Sequence, residues 1–285
     1  MPVGHATRGT TNPNRLRRVD RWLAVQPVLR DVAEPVVVDL GYGASGRTLF
    51  EMAERLHPVN PRARFVGIEI DAERVERAQT ELKAIRSRRS ASGEPAAPAW
   101  ADRVSVHRGG FEVPLPNGER ASVIRALNVL RQYDEPDVPG AWRAMLARLG
   151  PSGLIIDGTC SEIGRVGTWI ALDEAGPVSF TISLRLADEV GQPFRPSIAA
   201  ERLPKALIHR NVPGERVHEW LRALDAAWDR NAGHAPFGAK QRFAAAIADL
   251  KRDGWPVREG QARWRMGEVT VPWEAVAPVG FEFSR

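Results

Sequence analysis

Val36-Val37-Val38-Asp39-Leu40-Gly41-Tyr42-Gly43-Ala44-Ser45-Gly46 is a β-branched apolar run that ends in an acid and breaks into three glycines. A continuous apolar run of this length suits a strand buried on both faces, as in a parallel sheet. The glycines let the backbone turn sharply and come close to a ligand. From Arg47 to Leu56 the apolar residues fall at helical spacing, so the stretch reads as strand, tight loop and helix.

The same alternation repeats downstream. Arg64 to Ile70 predicts a second strand, and Ala72 to Ile85 a helix with Val75, Ala78 and Leu82 on one face. Residues 86–101 carry Arg, Ser, Pro and Ala without period and read as an insertion. Val104 to His107, Ala121 to Leu127 and Gly153 to Asp157 predict three more strands, with a helix over Gly140 to Leu149. Strands and helices alternating at this pitch predict a doubly wound, mostly parallel sheet with helices on both faces. After residue 160 the pattern changes. Thr168 to Leu172 and Val178 to Leu186 flank a turn-rich Asp173–Pro177 and predict an antiparallel hairpin. Val217 to Trp228 and Gln241 to Leu250 predict helices, and Glu268 to Trp273 a late strand. The expected organisation is a basic arm and helix over 1–30, a ligand-binding α/β domain over 31–190, and a mainly helical C-terminal extension over 191–285.

The chain has 285 residues, 43% hydrophobic and 26% charged, enough to bury a core. No apolar run approaches the roughly 20 residues that span a bilayer. No apolar segment follows the basic N-terminus, so neither a membrane span nor a secretory leader is expected. Cys160 is the only cysteine, which excludes an internal disulfide and a Cys-built metal site and fits a cytoplasmic location. The six histidines are scattered without metal-ligand spacing, and no metal is expected. Residues 1–30 hold Arg8, Arg15, Arg17, Arg18, Arg21 and Arg30 against Asp20 alone, which accounts for the whole formal net charge of +5. Such an arm suits a polyanion; it equally suits a solvated leader. A helix over 14–24 is expected within it, capped by Asn14, with Leu16, Val19, Trp22 and Leu23 on one face.

Two ligand chemistries fit the glycine loop. Gly41, Gly43 and Gly46 match the G-x-G-x-x-G of dinucleotide-binding folds. A dinucleotide would set its pyrophosphate against the loop and the following helix N-terminus. Asp39 sits poorly beside two phosphates. A ligand carrying an ammonium and a sulfonium would instead be attracted by it. Glu69, 23 positions after Gly46, ends the second strand where such folds place a carboxylate against ribose hydroxyls.

With these residues in view, residues 36–158 resemble the core of the class I S-adenosylmethionine-dependent methyltransferases, whose fold is Rossmann-like. Asp39, Gly41 and Gly43 match the first family motif, and Glu69, closing Val66-Gly67-Ile68-Glu69, the second. Val104 to Phe111 resembles the third strand and its loop, Ala126 to Leu130 the fourth-strand motif, and Gly150 to Ile156 the turn into the fifth strand. Two positions depart from the pattern. Gly110 stands where many members carry an aspartate toward adenine, which leaves that contact to backbone or to Phe111. Ser45 stands where the family often has its third glycine, which here is Gly46.

The resemblance implies that S-adenosylmethionine is the cofactor, held by Asp39, Gly41, Gly43, Gly46, Glu69, Gly110, Phe111 and Asn128. The methyl acceptor, a small molecule or an RNA, would meet it at the carboxyl edge of the sheet. There Asn128 is placed to orient an amine and Tyr133 to position or deprotonate a hydroxyl. Arg131, Gln132, Asp134, Asp157, Thr159 and Cys160 fall near the same edge. Lys205, His209 and Arg210 form a candidate anion patch. Two other readings stand beside this one. They are an NAD- or NADP-binding oxidoreductase, which Asp39 argues against, and a non-catalytic S-adenosylmethionine-binding protein.

Overall fold

The computed structural model describes residues 2–6, 9, 12–89, 93–94, 96–187 and 194–283. Arg8 and the domain boundary expected at residues 190 and 191 lie outside the described residues. One sheet of eight strands runs through the chain in the order β3-β2-β1-β4-β5-β6-β7-β8. The strands are β1 (Val36–Leu40), β2 (Arg64–Glu69), β3 (Val104–Arg108), β4 (Ala121–Leu127), β5 (Leu149–Cys160), β6 (Val166–Asp173), β7 (Gly176–Leu184) and β8 (Glu268–Pro272). The pairs β1–β2, β2–β3, β1–β4 and β4–β5 are parallel. The pairs β5–β6, β6–β7 and β7–β8 are antiparallel. This is the doubly wound, Rossmann-like arrangement read from the sequence, with the expected hairpin at β6–β7. The strand order reverses between β1 and β4, which makes the carboxyl ends of those two strands the place for a ligand crevice.

The helices are α1 (Arg17–Leu23), α2 (Pro27–Arg30), α3 (Arg47–Leu56), α4 (Ala72–Arg86), α5 (Val138–Leu146), α6 (Lys205–Ile208), α7 (Arg216–Arg230), α8 (Ala239–Arg252) and α9 (Gln261–Trp264). Alternation along β1 divides the core. Val36, Val38 and Leu40 face a layer with α5, α7 and α8, and Val37 faces one with α1, α3 and α4. The C-terminal extension is more than a helical appendage, because β8 leaves it to pair with β7 and Trp273 packs edge-on against Trp142 of α5. α1 is shorter than the expected 14–24 and has no side-chain cap. Asn14 is not the cap. It sits in the left-handed region at φ 59°, and its side-chain oxygen accepts from Arg55 at 2.5 Å.

The face toward α1 and α3 contains a buried ionic group. Asp39 of β1 and Arg125 of β4 are paired in register on neighbouring parallel strands. The Arg125 guanidinium, wholly buried, donates from Nε to Asp39 Oδ1 at 3.0 Å and from Nη2 to the Thr48 carbonyl of α3 at 3.0 Å. Its Nη1 meets Asp20 of α1. Asp20 in turn receives Arg55 Nη1 of α3 at 2.6 Å, and Thr48 Oγ1 donates to Asp39 Oδ2 at 2.8 Å. Two carboxylates and two guanidiniums thus balance in charge. Burial alone would push Arg125 down, but Asp39 and Asp20 outweigh it and hold the guanidinium above its ordinary range.

On the opposite face, Asp157 of β5 is buried against α5 and accepts the Trp142 indole N–H at 3.0 Å. Burial pushes its carboxyl up from 3.8 to about 7, against the pull of that hydrogen bond. Glu268 is likewise raised by burial to about 7, although Arg263 pulls the other way.

Two outcomes are expected. Arg125→Met leaves Asp20 and Asp39 with a lost partner in the core and costs about 3–5 kcal/mol in urea unfolding. Adding Asp20→Asn and Asp39→Asn recovers part of that. For Asp157 the pH dependence has a definite sign. Between about pH 4 and 7 the unfolded chain has released this proton and the folded protein keeps it, so stability falls as pH rises through that window. Asp157→Asn should therefore lose about 2 kcal/mol less than the wild type between pH 5 and 8 in urea unfolding, with Glu268 supplying the slope that remains.

Candidate active site

The loop after β1 is built by its glycines. Gly41 and Gly43 have φ of 67° and 90°, which a side chain would strain. Gly41 N–H donates to the Ile68 carbonyl at 2.7 Å, fastening the loop to β2. Gly43 N–H donates to Glu69 Oε2 at 3.0 Å, while Glu69 Oε1 accepts Ile70 N–H at 2.9 Å. Glu69 is 1% exposed and also has Arg74 at 3.8 Å. Gly46 N–H, at the start of α3, donates to Glu81 Oε2 at 2.9 Å. Ala44 N–H donates to the Gly9 carbonyl at 3.0 Å. Carboxylates from β2 and α4 therefore engage the amides that a phosphate would use. Asp71, which follows Glu69, caps α4 by accepting from Glu73 and Arg74 N–H.

Two adjoining spaces open at this edge. The larger is a cleft of about 740 Å³ that includes Asp39, Gly41, Gly43 and Asn128 in its lining, with Arg131 and Gln132. The smaller, about 20 Å³, lies beside Glu69, Gly110, Phe111 and Tyr133 and shares Gly41 with the first. Val3, Gly4 and His5 of the N-terminal segment line it as well. Phe111 N–H donates to the Val3 carbonyl at 2.9 Å, Val3 N–H to Glu112 Oε2 at 2.7 Å, and His5 N–H to the Tyr133 hydroxyl. Gly110 is required here, since a Cβ would lie 2.0 Å from the Val3 carbonyl oxygen.

The residues picked from sequence thus divide. Asp39, Gly41, Gly43 and Asn128 meet in the cleft. Glu69, Gly110, Phe111 and Tyr133 gather at the N-terminal segment. Gly46 lines neither space, and its lack of a side chain answers to Phe50, whose ring would stand 2.3 Å from a Cβ. Asn128 follows β4 in the left-handed region at φ 62°. Its Oδ1 accepts Cys160 N–H at 3.0 Å and its own N–H donates to the Gly158 carbonyl at 2.7 Å, which fixes it between β4 and β5. Tyr133 does not sit in the cleft, and burial raises its hydroxyl above the ordinary range. Those two facts remove it as a base for a substrate bound there. Arg210 is engaged by Glu135 at 2.7 Å and Glu215 at 3.2 Å, so it makes no anion patch with Lys205 and His209.

The N-terminal arginines dock inward. Arg15 donates to the Ser161 and Cys160 carbonyls at 3.3 and 3.4 Å, Arg17 to Ile163 at 3.0 Å and Arg18 to Gly164 at 3.1 Å, all on the β5–β6 turn. Sequence reasoning missed Arg202, which lines the cleft from a segment far along the chain. It also missed Arg125, although a charge inside the apolar strand Ala121–Leu127 signals a buried counter-charge. Among the described residues no group of three or more His, Cys, Asp or Glu is placed to hold a metal ion. Nor is any helix among them long and apolar enough to cross a membrane.

No family model matches the chain, and no curated protein matches it. Among solved structures it is similar to a putative sarcosine dimethylglycine methyltransferase from Galdieria sulphuraria, at 17% identity over 49% of this chain and 46% of that one, with a TM-score of 0.34. It is similar to human N-acetylserotonin methyltransferase in complex with SAM at 18% identity, over 52% and 35% of the two chains, with a TM-score of 0.34. It is also similar to the N-methyltransferase NodS from Bradyrhizobium japonicum at 16% identity, over 51% and 68%, with a TM-score of 0.32. The chain spans less than half the length of the first two.

Proposed function

We propose that the chain is an S-adenosylmethionine-dependent methyltransferase whose acceptor enters the cleft over β4 and β5. The observation that carries this reading is the engagement of the glycine-loop amides. Gly43 N–H is held by Glu69 and Gly46 N–H by Glu81. A pyrophosphate against this loop would meet two carboxylates and find those donors taken. A phosphate-free cofactor with a cationic amino-acid end meets no such conflict. The residues present fit that group. Gly41 and Gly43 open the backbone toward the cleft. Glu69 ends β2 beside the loop and lines the adjoining space, where its carboxylate would accept ribose hydroxyls. Asp39 lines the cleft with its charge matched by Arg125. Val3–His5 are the residues that would have to yield to a nucleoside.

The bound cofactor would supply an electrophilic methyl, so the protein's task is to orient a nucleophile and exclude water. Asn128, fixed by Cys160, is the positioning group at the floor of the cleft. Tyr133 keeps its proton and anchors His5.

Calorimetric titration tests the reading. S-adenosylmethionine should bind saturably and NAD and NADP should not. Glu69→Gln, which weakens the loop clamp, should reduce the affinity about tenfold. Binding of NAD or NADP alone would replace the proposal with an oxidoreductase, and tight cofactor binding without turnover would leave a non-catalytic binder. Removing residues 2–6 deletes the hydrogen bonds of Val3 and His5 at about 1 kcal/mol each. The shortened protein should bind S-adenosylmethionine several-fold more tightly in the same titration.

A further inference from the structure

Like charges gather on the outer side of α1. Arg17, Arg18 and Arg21 fall at three- and four-residue spacing, and the one acid of this helix, Asp20, turns inward to Arg125 and Arg55. Arg17 Nη1 donates to the Ile163 carbonyl at 3.0 Å and Arg18 Nε to that of Gly164 at 3.1 Å. Arg18 Nη1 also reaches Ser183 Oγ at 3.2 Å and the Met266 carbonyl at 3.3 Å, which sets α1 against the end of β7. Arg185 follows that strand, fixed through its backbone N–H to the Arg165 carbonyl at 2.7 Å. Burial pushes Arg17 and Arg18 down, Arg18 to about 10, and repulsion from Arg21 and Arg185 adds to both. Contacts with carbonyls orient a guanidinium without cancelling its charge. Among the described residues none of these four arginines has an ion pair, and Arg21 and Arg185 are exposed. Of the acids nearby, Glu268 is buried and held by Arg263 at 2.5 Å, and Glu162 stands on the turn. Like charges at these spacings destabilise a helix, so folding gains nothing from the cluster.

We propose that this face, with Arg17, Arg21 and Arg185 around the β5–β6 turn and Arg18 behind them, is a docking surface for single-stranded RNA held by its phosphates. The guanidiniums are spread over α1 and the chain after β7 and do not converge on a point, which suits a repeated anion. All four are arginines, whose planar forks match a phosphate in two hydrogen bonds at once. The turn joins the surface to the cleft. Glu162 lines the cleft, and the next residue, Ile163, receives Arg17. A strand lying on the surface therefore runs over the turn to the cleft. Under the proposed function that strand carries the methyl acceptor; the surface itself does not depend on that reading. A bilayer fits less well. Ile163 and Met266, at 47% and 46% exposed, leave little apolar area to bury in lipid. Duplex DNA also fits less well, because α1 has only seven residues and lies on the core through Val19, Trp22 and Leu23, so it offers no free helix for a major groove.

The test is fluorescence anisotropy of the full chain, without cofactor, against a labelled single-stranded RNA of roughly 16 nucleotides, the upper end of single-strand site sizes. Saturable binding is expected at low salt. With three phosphates contacted, it should weaken at least about tenfold between about 50 and 200 mM salt. Arg21→Gln combined with Arg185→Gln should weaken binding at least about tenfold at the lower salt. The plot of log affinity against log salt should become shallower by about 0.7 for each arginine removed. Arg222→Gln on the exposed side of α7, across the sheet, should change neither. The double variant loses like charges, so it should unfold at the temperature of the wild type or slightly above. Three results overturn the proposal. They are no RNA binding by the folded wild type, a double variant that keeps the affinity and the salt slope, and a double variant whose loss falls on duplex DNA or on phosphatidylserine vesicles and not on RNA. Since the titration holds no cofactor, a failure of the cofactor reading would leave RNA binding in place, and a failure of RNA binding would leave the cofactor reading as it stands.

Discussion

One guanidinium between two carboxylates holds together the sheet edge from which the glycine loop leaves. Arg125 bridges Asp39 of β1, Asp20 of α1 and the Thr48 carbonyl of α3. Four elements that are distant in sequence meet at one side chain with no exposure. Removing such charges from water costs several kcal/mol for each ion, and the pairing repays that only when the geometry is good and the remaining hydrogen bonds are made. Here they are made, by Thr48 and Arg55. The group sets the end of β1, from which the glycine loop leaves, against the helix that follows it. It also fastens α1, and with α1 the residues that lead into the cleft.

The loop above this group is equally determined by carboxylates. Glu69 and Glu81 occupy amides at the two ends of the same turn. A helix N-terminus and a row of backbone N–H groups attract anions, so each acid stabilises the loop in the absence of ligand. The same acids would repel a phosphate placed against this turn. Under the proposed function, structural role and ligand preference are not alternatives for Glu69. Its hydrogen bonds to Gly43 and Ile70 fix where the carboxylate stands, and a fixed carboxylate is what a pair of ribose hydroxyls needs.

Much of this was legible in the sequence, for physical reasons that also mark where reading stops. The run Val36–Val38, the helical spacing after Gly46 and the alternation up to Asp157 report local geometry and burial, and the sheet follows them. The hairpin over β6 and β7 was visible because a turn-rich segment separates two apolar runs. Glycines with positive φ could be found at Gly41 and Gly43 because a sharp turn follows a strand there. Partners were not legible. Asp39 read as a free carboxylate, since nothing local says that Arg125 lies beside it. Arg15, Arg17 and Arg18 read as part of an arm because their acceptors are carbonyls around a turn well over a hundred residues away, and a carbonyl leaves no trace in composition. Arg202 was missed, and Arg210 overrated, for the same reason. The side chain is local, but its surroundings are tertiary.

The change of strand direction at β5 explains why those surroundings take this form. In a sheet that stayed parallel, β5 would end in a loop leading to a helix. Here β5 turns back into β6, and the turn over residues 161–165 stands up at the carboxyl edge as a wall beside the cleft. The carbonyls of Ser161, Ile163 and Gly164 on this turn accept from Arg15, Arg17 and Arg18. β7 then returns to the same edge, so the chain that follows it brings Arg202 over β6, where Thr168 receives its backbone. The chain that follows the antiparallel strands thereby brings Arg202 to the cleft, and the parallel half supplies the glycine loop, its acids and Arg131. The contrast between the glycine loop with its acids and the turn that faces it is a consequence of topology, set by where the sheet changes from parallel to antiparallel.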